Sequence, residues 1–554
     1  MKSNKSTPFK TLLFTIIILL LVNVAGFYLF KRFDLTADKR YTLSPATLNV
    51  IKDVKEPVYI YVFLTGEFPA QFKRLQTETR QMLEEFHAYN SNITFKFSDP
   101  MEDEATAEAY KQELTAKGFV PVNINQTIKG KKTLTQVFPW AKADLGEKSV
   151  AVPLLVNNFG SNSDDNINKS VQLLEFAFTD ALTKLTSNTK KRLAVLKGNG
   201  EIKDKYMADF LRSAKEYYTL AEFNLDSLQN DPVKVLSNLR HFDATLIAKP
   251  TQPFNDNEKY ILDQYIENGG KTMWLIDKVS IDLDSLQNDQ QATLAFPLDL
   301  NLDDMFFKYG VRINNKLIQD LLSTPITVQS QNGEMPIDWL YSPIIKSEEN
   351  HAINKNVNLV KLEFANQIDT LKNGIRKTVL LKSSAQSKPI GVPVRIGLAD
   401  FTNVVDESAF KDGGQIIGTL LEGRFTSAFK NRVKPFTVAD PVDDGKNNKM
   451  IVIADGDIIN YKYVNKKPLI NDIDPWTQQS YGNKDFLINA MNYLLDDNGL
   501  VDIRNKNIEL QLLDDKKVEK EYTKTQFLTI GAPLLFLLVF GLVYGWLRKR
   551  RYAK

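Results

Sequence analysis

The chain has 554 residues, 43% of them hydrophobic and 25% charged, the balance of a folded protein with room for about three or four domains. Seventy lysines and arginines against 67 acidic residues leave a net charge of +3, which gives no reason to expect a nucleic-acid binder. Cysteine is absent and only His87, His241 and His351 are histidines. Disulfides, thiolate metal sites, iron–sulfur clusters and cysteine nucleophiles are therefore excluded, and a histidine base or zinc site has few places to sit.

In chain order, the first element is the uncharged run Thr11–Phe30, long enough to cross a hydrocarbon layer of about 30 Å. A cleaved signal peptide would have a shorter apolar region of about 7–15 residues and a small-x-small site. Asn23-Val24-Ala25 is a poor one, so the run reads as an uncleaved anchor. Val58–Leu64 reads as a strand, Pro69–Tyr89 as an amphipathic helix, Ile93–Phe97 as a strand and Ala105–Ala116 as a helix. Three further strands are expected near Val120–Ile128, Thr133–Trp140 and Val150–Val156. Residues 31–157 thus form a small α/β ectodomain, ending in the polar loop Asn157–Ile167.

A helix bearing Val171, Leu174, Phe178, Leu182 and Leu185 on one face opens a second unit, residues 158–526. Strands at Leu193–Leu196, Tyr218–Phe223, Ala244–Ala248 and Thr272–Ile276 alternate with helices at Tyr206–Glu216 and Asn257–Glu267. That alternation predicts a parallel sheet with helices on both faces. The pattern resumes with a strand at Met450–Ile453 and a helix at Lys484–Leu495. Between them, about residues 297–440, the polar and irregular pattern reads as a long insertion with its own short strands. The fold class is α/β, two units of it between two terminal transmembrane helices.

The second of these helices is Phe527–Leu547, followed by Arg548, Lys549, Arg550 and Arg551. Tyr544 and Trp546 stand where an interfacial aromatic belt belongs. The tails (residues 1–10 and 548–554) and the inner flanks each hold eight Lys and Arg. The tails are shorter, denser and free of acid, which favours both termini in the cytoplasm and the large domain in the periplasm of an inner membrane.

Two motifs are decoys. Gly270-Lys271-Thr272 echoes the end of a P-loop, but Tyr265 stands where that loop needs its first glycine. A helix also ends there and a strand begins, the reverse of the order that places helix N–H groups on phosphate. Lys411–Gln415 resembles part of an ABC ATPase signature without any Walker A sequence, and reads as a turn entering a helix Ile416–Leu421. No G-x-S-x-G elbow occurs, and the three histidines read as solvated. One constellation remains. Asn199 and Glu201 of the turn Gly198-Asn199-Gly200-Glu201, with Asp277, Asp455 and Asp457, all fall just past predicted strand ends. Clefts of α/β sheets form at such edges, so these five are the candidate ligand-binding residues. Aspartate and glycine also end strands and cap helices with no ligand at all.

Several stretches resemble the ABC-transporter-associated auxiliary domain: FTDALTKLTSNTKKRLAVLKGNGE (178–201), DATLIAKPTQPFNDNEKYILDQYIENGGKTMWLID (243–277), GTLLEGRFTSAF (418–429), MIVIADGD (450–457) and YGNKDFLINAMNYLLDD (481–497). With the N-terminal RYTLSPATLNVIKDVKEPVYIYVFLTGEFP and the two anchors, the chain resembles the GldG family of gliding-motility-associated ABC-transporter components. That resemblance implies a glutamine-amidotransferase-like fold and a non-enzymatic, substrate-binding-like auxiliary subunit. It also implies a separate permease, a separate ATPase, an envelope partner and no cofactor. The related amidotransferases need a cysteine and a histidine. This chain has no cysteine, and Asn199 stands where many auxiliary domains have histidine in the G-x-G-E turn. A scaffold of the gliding or secretion machinery is the second reading, and a hydrolase working from the acidic edge the third.

Overall fold

The computed structural model describes residues 6–28, 42–505 and 515–552, apart from residues 67, 102–106, 129–130, 157, 159–160, 188, 228–230, 331–332, 347–350, 402–404, 461–462, 465–466, 469–473, 475–476, 478 and 497–498. Lys2, Lys5, Lys31, Arg32, Lys39, Arg40 and Lys554, which weigh in the orientation argument, lie outside the described residues. The chain divides into two compact units, Met1–Lys506 and Asn507–Lys554.

The first unit opens with α1 (Ser6–Tyr28), whose described apolar stretch Leu12–Val24 is exposed. Helix α2 (Pro45–Asp53) starts on a proline, and the Ser44 side chain caps it by accepting the Thr47 N–H at 3.1 Å. Then follow β1 (Val58–Val62), α3 (Ala70–Tyr89), β2 (Ile93–Phe97), α4 (Ala107–Ala116), β3 (Val122–Ile128), β4 (Lys131–Val137), β5 (Trp140–Leu145), β6 (Lys148–Pro153) and α5 (Ser163–Thr186). One four-stranded sheet has the order β2-β1-β5-β6, and β3 and β4 form a separate hairpin. Strand β1 buries Val58, Ile60 and Val62 and exposes Tyr59 and Tyr61, the period of a half-covered sheet. The expected strand Thr133–Trp140 is cut in two at Phe138-Pro139, because proline offers no N–H to continue the ladder.

Helix α5 links this region to its neighbours. Its Phe178 meets Phe86 of α3 edge to face at 6.2 Å. Its buried Glu175 accepts hydrogen bonds from Ser44 N–H at 2.6 Å and Thr47 Oγ1 at 2.8 Å.

The large sheet is built from β7 (Arg192–Lys197), α6 (Ala208–Tyr217), β8 (Thr219–Asn224), α7 (Pro232–Leu239), β9 (Ala244–Ala248), α8 (Asp256–Glu267) and β10 (Lys271–Leu275). Helix α7 has a plain signal, Asp231-Pro232, whose aspartate accepts the Lys234 N–H at 3.0 Å. After β10 come β11 (Val279–Ser280) and β12 (Ala292–Pro297), and the long insertion then carries α9 (Asp303–Tyr309), β13 (Val311–Asp320), β14 (Ser323–Ser330), β15 (Gly333–Ile345), β16 (Val360–Lys361), β17 (Asn366–Thr370), β18 (Arg376–Lys382), β19 (Ser387–Gly391), β20 (Val394–Gly397) and β21 (Ile416–Thr426). After it come β22 (Asp444–Ile453) and α10 (Asn483–Leu495).

The sheet order is β18-β21-β22-β10-β9-β7-β8. The five strands from β22 to β8 run parallel, and β21 and β18 add on antiparallel. This corrects two expectations. The sheet is mixed rather than wholly parallel, and the insertion, besides its own strands, supplies two members of the large sheet. Ile416–Leu421 is strand, not helix. Residues 417–421 are buried in succession, and the β-branched Ile416-Ile417 pair followed by Gly418 favours a covered strand over a helix.

Helices do cover both faces. Leu193, Val195, Met273 and Ile451 pack with Phe210 of α6 and Met491 of α10. Ala194, Leu196, Trp274 and Val452 pack with Leu236 of α7, Ile261 of α8 and Phe306 of α9. Alternate residues of one strand thus feed opposite cores. The insertion has its own core around Trp339, Tyr341 and Phe364.

The second unit is dominated by α11 (Asp515–Tyr552), which contains Pro533. Its stretch Lys520–Arg550 is long and apolar enough to cross a membrane and is exposed. Among the described residues it is the one helix that meets this criterion, and Leu12–Val24 is a shorter apolar helix.

Candidate functional site at the carboxyl edge of the sheet

Strands β22, β10, β9 and β7 are neighbours and parallel, so the residues just past their ends gather at one edge. Asp455 and Asp457 follow β22, Asp277 follows β10, Lys249 follows β9, and Asn199 and Glu201 follow β7.

The carboxylates of Asp277, Asp455 and Asp457 lie within 4.8 Å of one another. Each is tied to backbone. Asp277 accepts the Gly456 N–H at 2.6 Å. Asp455 accepts the N–H groups of Asp457 and Ile458 at 2.7 and 3.0 Å, and that of Glu363 at 2.8 Å. Glu363 belongs to the insertion, whose chain is clamped across the edge. Asn366 donates its N–H to the Ala454 carbonyl at 2.7 Å and accepts the Lys278 N–H at 2.7 Å.

The missing member of the cluster is Lys249. Its Nζ is 3.4 Å from Asp277 Oδ2 and donates to Asp457. It holds a left-handed backbone (φ 49°) and bonds its N–H to the Leu275 carbonyl at 2.8 Å. Burial pushes the Asp277 carboxyl up to about 6 against the pull of Lys249, and pushes Asp455 well above its ordinary value, with Asp277 and Asp457 adding to it. Burial opposes the Lys249 ammonium, but the charges of Asp457 and Asp277 outweigh it and hold its pKa above normal. The three oxygens have the spacing of a cation site, and the ammonium already supplies a cation to two of them. This is the arrangement of a proton-sharing ionic cluster rather than of a metal cage.

Above it lies a cleft of about 510 Å³, lined by Glu201, Lys203, Lys249, Asp284, Glu363 and Asp457 among others. Of the five expected residues, Glu201 and Asp457 line this cleft. Asp277 and Asp455 are buried in the cluster. Asn199 is 3% exposed and turns to α8, its Nδ2 donating to Glu258 Oε2 at 3.0 Å. Glu258 closes a capping box with Asn255 at the start of that helix, and burial pushes its carboxyl up to about 7. The Asn199 N–H bonds Glu201 Oε2 at 2.8 Å, and burial raises the Glu201 carboxyl. Gly200 (φ 72°) is required here, since a Cβ would come 2.2 Å from Thr251 Oγ1.

A family model described as an ABC-type uncharacterized transport system matches residues 190–490. The chain belongs to that family. The match spans the seven strands of the large sheet, the carboxyl edge and the insertion. This ABC-type auxiliary family implies a transporter complex with other subunits, and a family of this kind is not typically enzymatic. Together with the apolar helix of the second unit it points to membrane association. A second family model, described as a domain of unknown function, matches residues 37–144. A protein of Borreliella burgdorferi (strain B31), described as uncharacterized, is 21% identical over 559 residues, covering 98% of this chain and 97% of its own. Among solved structures, the mmIFT52 N-terminal domain superposes with a TM-score of 0.32 at 9% identity, covering 58% of this chain and all of its own. That likeness is too slight to assign a shared fold.

In this family member Gly269 takes the left-handed conformation (φ 101°) that ends α8, and a Cβ on Gly270 would strike the Tyr265 ring at 2.3 Å. Both glycines of the false P-loop thus have packing reasons. His87 and His241 are exposed, while His351 is half-buried against Tyr493, ring centres 4.7 Å apart. That placement corrects the reading of His351 as solvated.

Proposed function

We propose that the chain is a membrane-anchored, non-enzymatic auxiliary subunit of an ABC-type transporter, with a substrate-binding-like ectodomain in the periplasm. The supporting observation is the family match over the whole large sheet, in a chain that also carries an exposed apolar helix. The cleft between Glu201 and Asp457 is the ligand site on this reading. A permease contacts the anchors, a separate ATPase supplies the energy, and the setting is bacterial gliding motility, as the GldG resemblance implies. The lack of a Walker A sequence agrees with nucleotide hydrolysis elsewhere in the complex.

Purification of the tagged chain in mild detergent tests this reading. A permease and an ATPase should co-purify in fixed ratio. Recovery of the chain alone would count against it. Protease added to spheroplasts should cut the ectodomain, and its protection would overturn the periplasmic placement. A structural scaffold with no transported ligand is the second reading. The open face of the four-stranded sheet, with Tyr59 and Tyr61 exposed, is the observation that favours it.

A further inference from the structure

A second cavity, of about 370 Å³, lies where α5 and β6 meet α6 and α10. Its floor includes Arg504, from the turn Val501–Asn505. Arg504 is 9% exposed. Its Nη1 donates to Asn489 Oδ1 at 2.8 Å, its Nη2 donates to the Lys355 carbonyl at 3.1 Å, and its guanidinium carbon sits 4.7 Å over the Phe176 ring. All three partners are neutral. Nε has no hydrogen-bond partner, and among the described residues the guanidinium forms no ion pair. A buried cation that no carboxylate touches is costly, and burial weakens the hold of Arg504 on its proton against the more distant charges of Asp485 and Asp180. Among the described residues only two of its five N–H donors are used.

The lysines that line the cavity are paired. Lys184 pairs with Asp180 and Glu216, and Lys484 pairs with Asp209. Two further polar atoms here are unpartnered, Asn356 Nδ2 and Asp180 Oδ1. The cavity therefore holds surplus donors at Arg504 and Asn356 and a surplus acceptor at Asp180. A multiply charged phosphate would meet Asp180, Glu216 and Asp485 in the same cavity. A zwitterion brings its carboxylate to the guanidinium fork and its ammonium to Asp180, with Leu173, Phe176 and Ile488 left for an apolar side chain.

We propose that this cavity binds a free amino acid, with Arg504 and Asn356 taking the carboxylate and Asp180 the ammonium. The site is separate from the carboxyl-edge cleft. Its arginine sits in the turn Val501–Asn505.

The test uses the full chain in detergent with L-leucine, L-phenylalanine, L-glutamate and L-lysine, each at about 10 mM beside its methyl ester and its N-acetyl derivative, and with inorganic phosphate. At least one free amino acid should raise the melting temperature and give a calorimetric binding isotherm, while its ester and acetyl forms do neither. Arg504→Gln should abolish the shift. Should that variant fail to fold, Asn356→Asp sets a carboxylate beside the ligand's own and should abolish it too, at a left-handed position (φ 58°) that aspartate tolerates. No shift with any of the four, equal shifts with the blocked forms, a shift with phosphate alone, or binding retained in the folded variants would each overturn the proposal.

Discussion

Lys249 and Asp277 stand at the ends of adjacent parallel strands, with Nζ 3.4 Å from Oδ2. The contact joins β9 to β10 and, through Asp457, to the segment that follows β22. Replacing Lys249 by alanine leaves Asp277, Asp455 and Asp457 without their cation. The expected cost is about 3–5 kcal/mol near neutral pH. The folded Asp277 carboxyl is raised to about 6, so its contribution is full below the unfolded value near 3.8 and is lost as pH rises through 6. Lys249→Ala should therefore be markedly worse at pH 8 than at pH 5. Urea denaturation at both pH values checks this, and an equal loss at each would refute the ionic account.

Glu267 is the second buried carboxyl with a clear sign. Its oxygens are buried, and burial, helped by the charge of Asp263, pushes its carboxyl up to about 8 against the pull of the Gly445 N–H. A raised carboxyl stabilises below the unfolded value near 4.5 and loses that contribution as pH climbs through 8. Between pH 5 and 8 this group should cost the wild type roughly 3 kcal/mol. Glu267→Gln should flatten that fall. Comparison of the two stability–pH curves decides it.

Asp263, one turn earlier on α8, has the opposite surroundings. It accepts hydrogen bonds from Ser427 Oγ at 2.6 Å, Ala428 N–H at 2.7 Å and the Tyr309 hydroxyl at 2.8 Å. It joins α8 to α9 and to the segment after β21. Asp263→Ala strands three buried donors and should cost about 3–5 kcal/mol. Asp263→Asn, which keeps an acceptor, should lose less. Denaturation midpoints for the pair provide the check.

Much of this was legible in the residues. The strands ATLIA, MWL and MIVI announce themselves as short, largely apolar runs, because parallel strands are covered on both faces. The three aspartates were legible because each follows such a run. Lys249 was not. It stands before Pro250 in a loop like any other, and only the sheet order sets it beside Asp277. IIGTLL carries no period that separates strand from helix, so β21 was misread. Arg504 and Phe176 are far apart in the chain, and no local pattern joins them.

If the exposed apolar helix anchors the protein, a chain limited to residues 42–505 should stay in the supernatant after high-speed centrifugation, while the full chain sediments with membranes. Sedimentation of the shortened form would point to a further attachment, such as the tyrosine-bearing sheet face.

Strand β22 is the last member of the large sheet to be synthesised. It lies between β10 and β21 in space, yet emerges long after β10 and behind the entire insertion. Until it arrives, the β10 flank is an open ladder of unpaired amides and carbonyls. The nascent polypeptide must keep that seam unoccupied until Asp444–Ile453 has been made. Maturation of this protein should be slow, dependent on chaperones, and intolerant of any break between the insertion and the final strand.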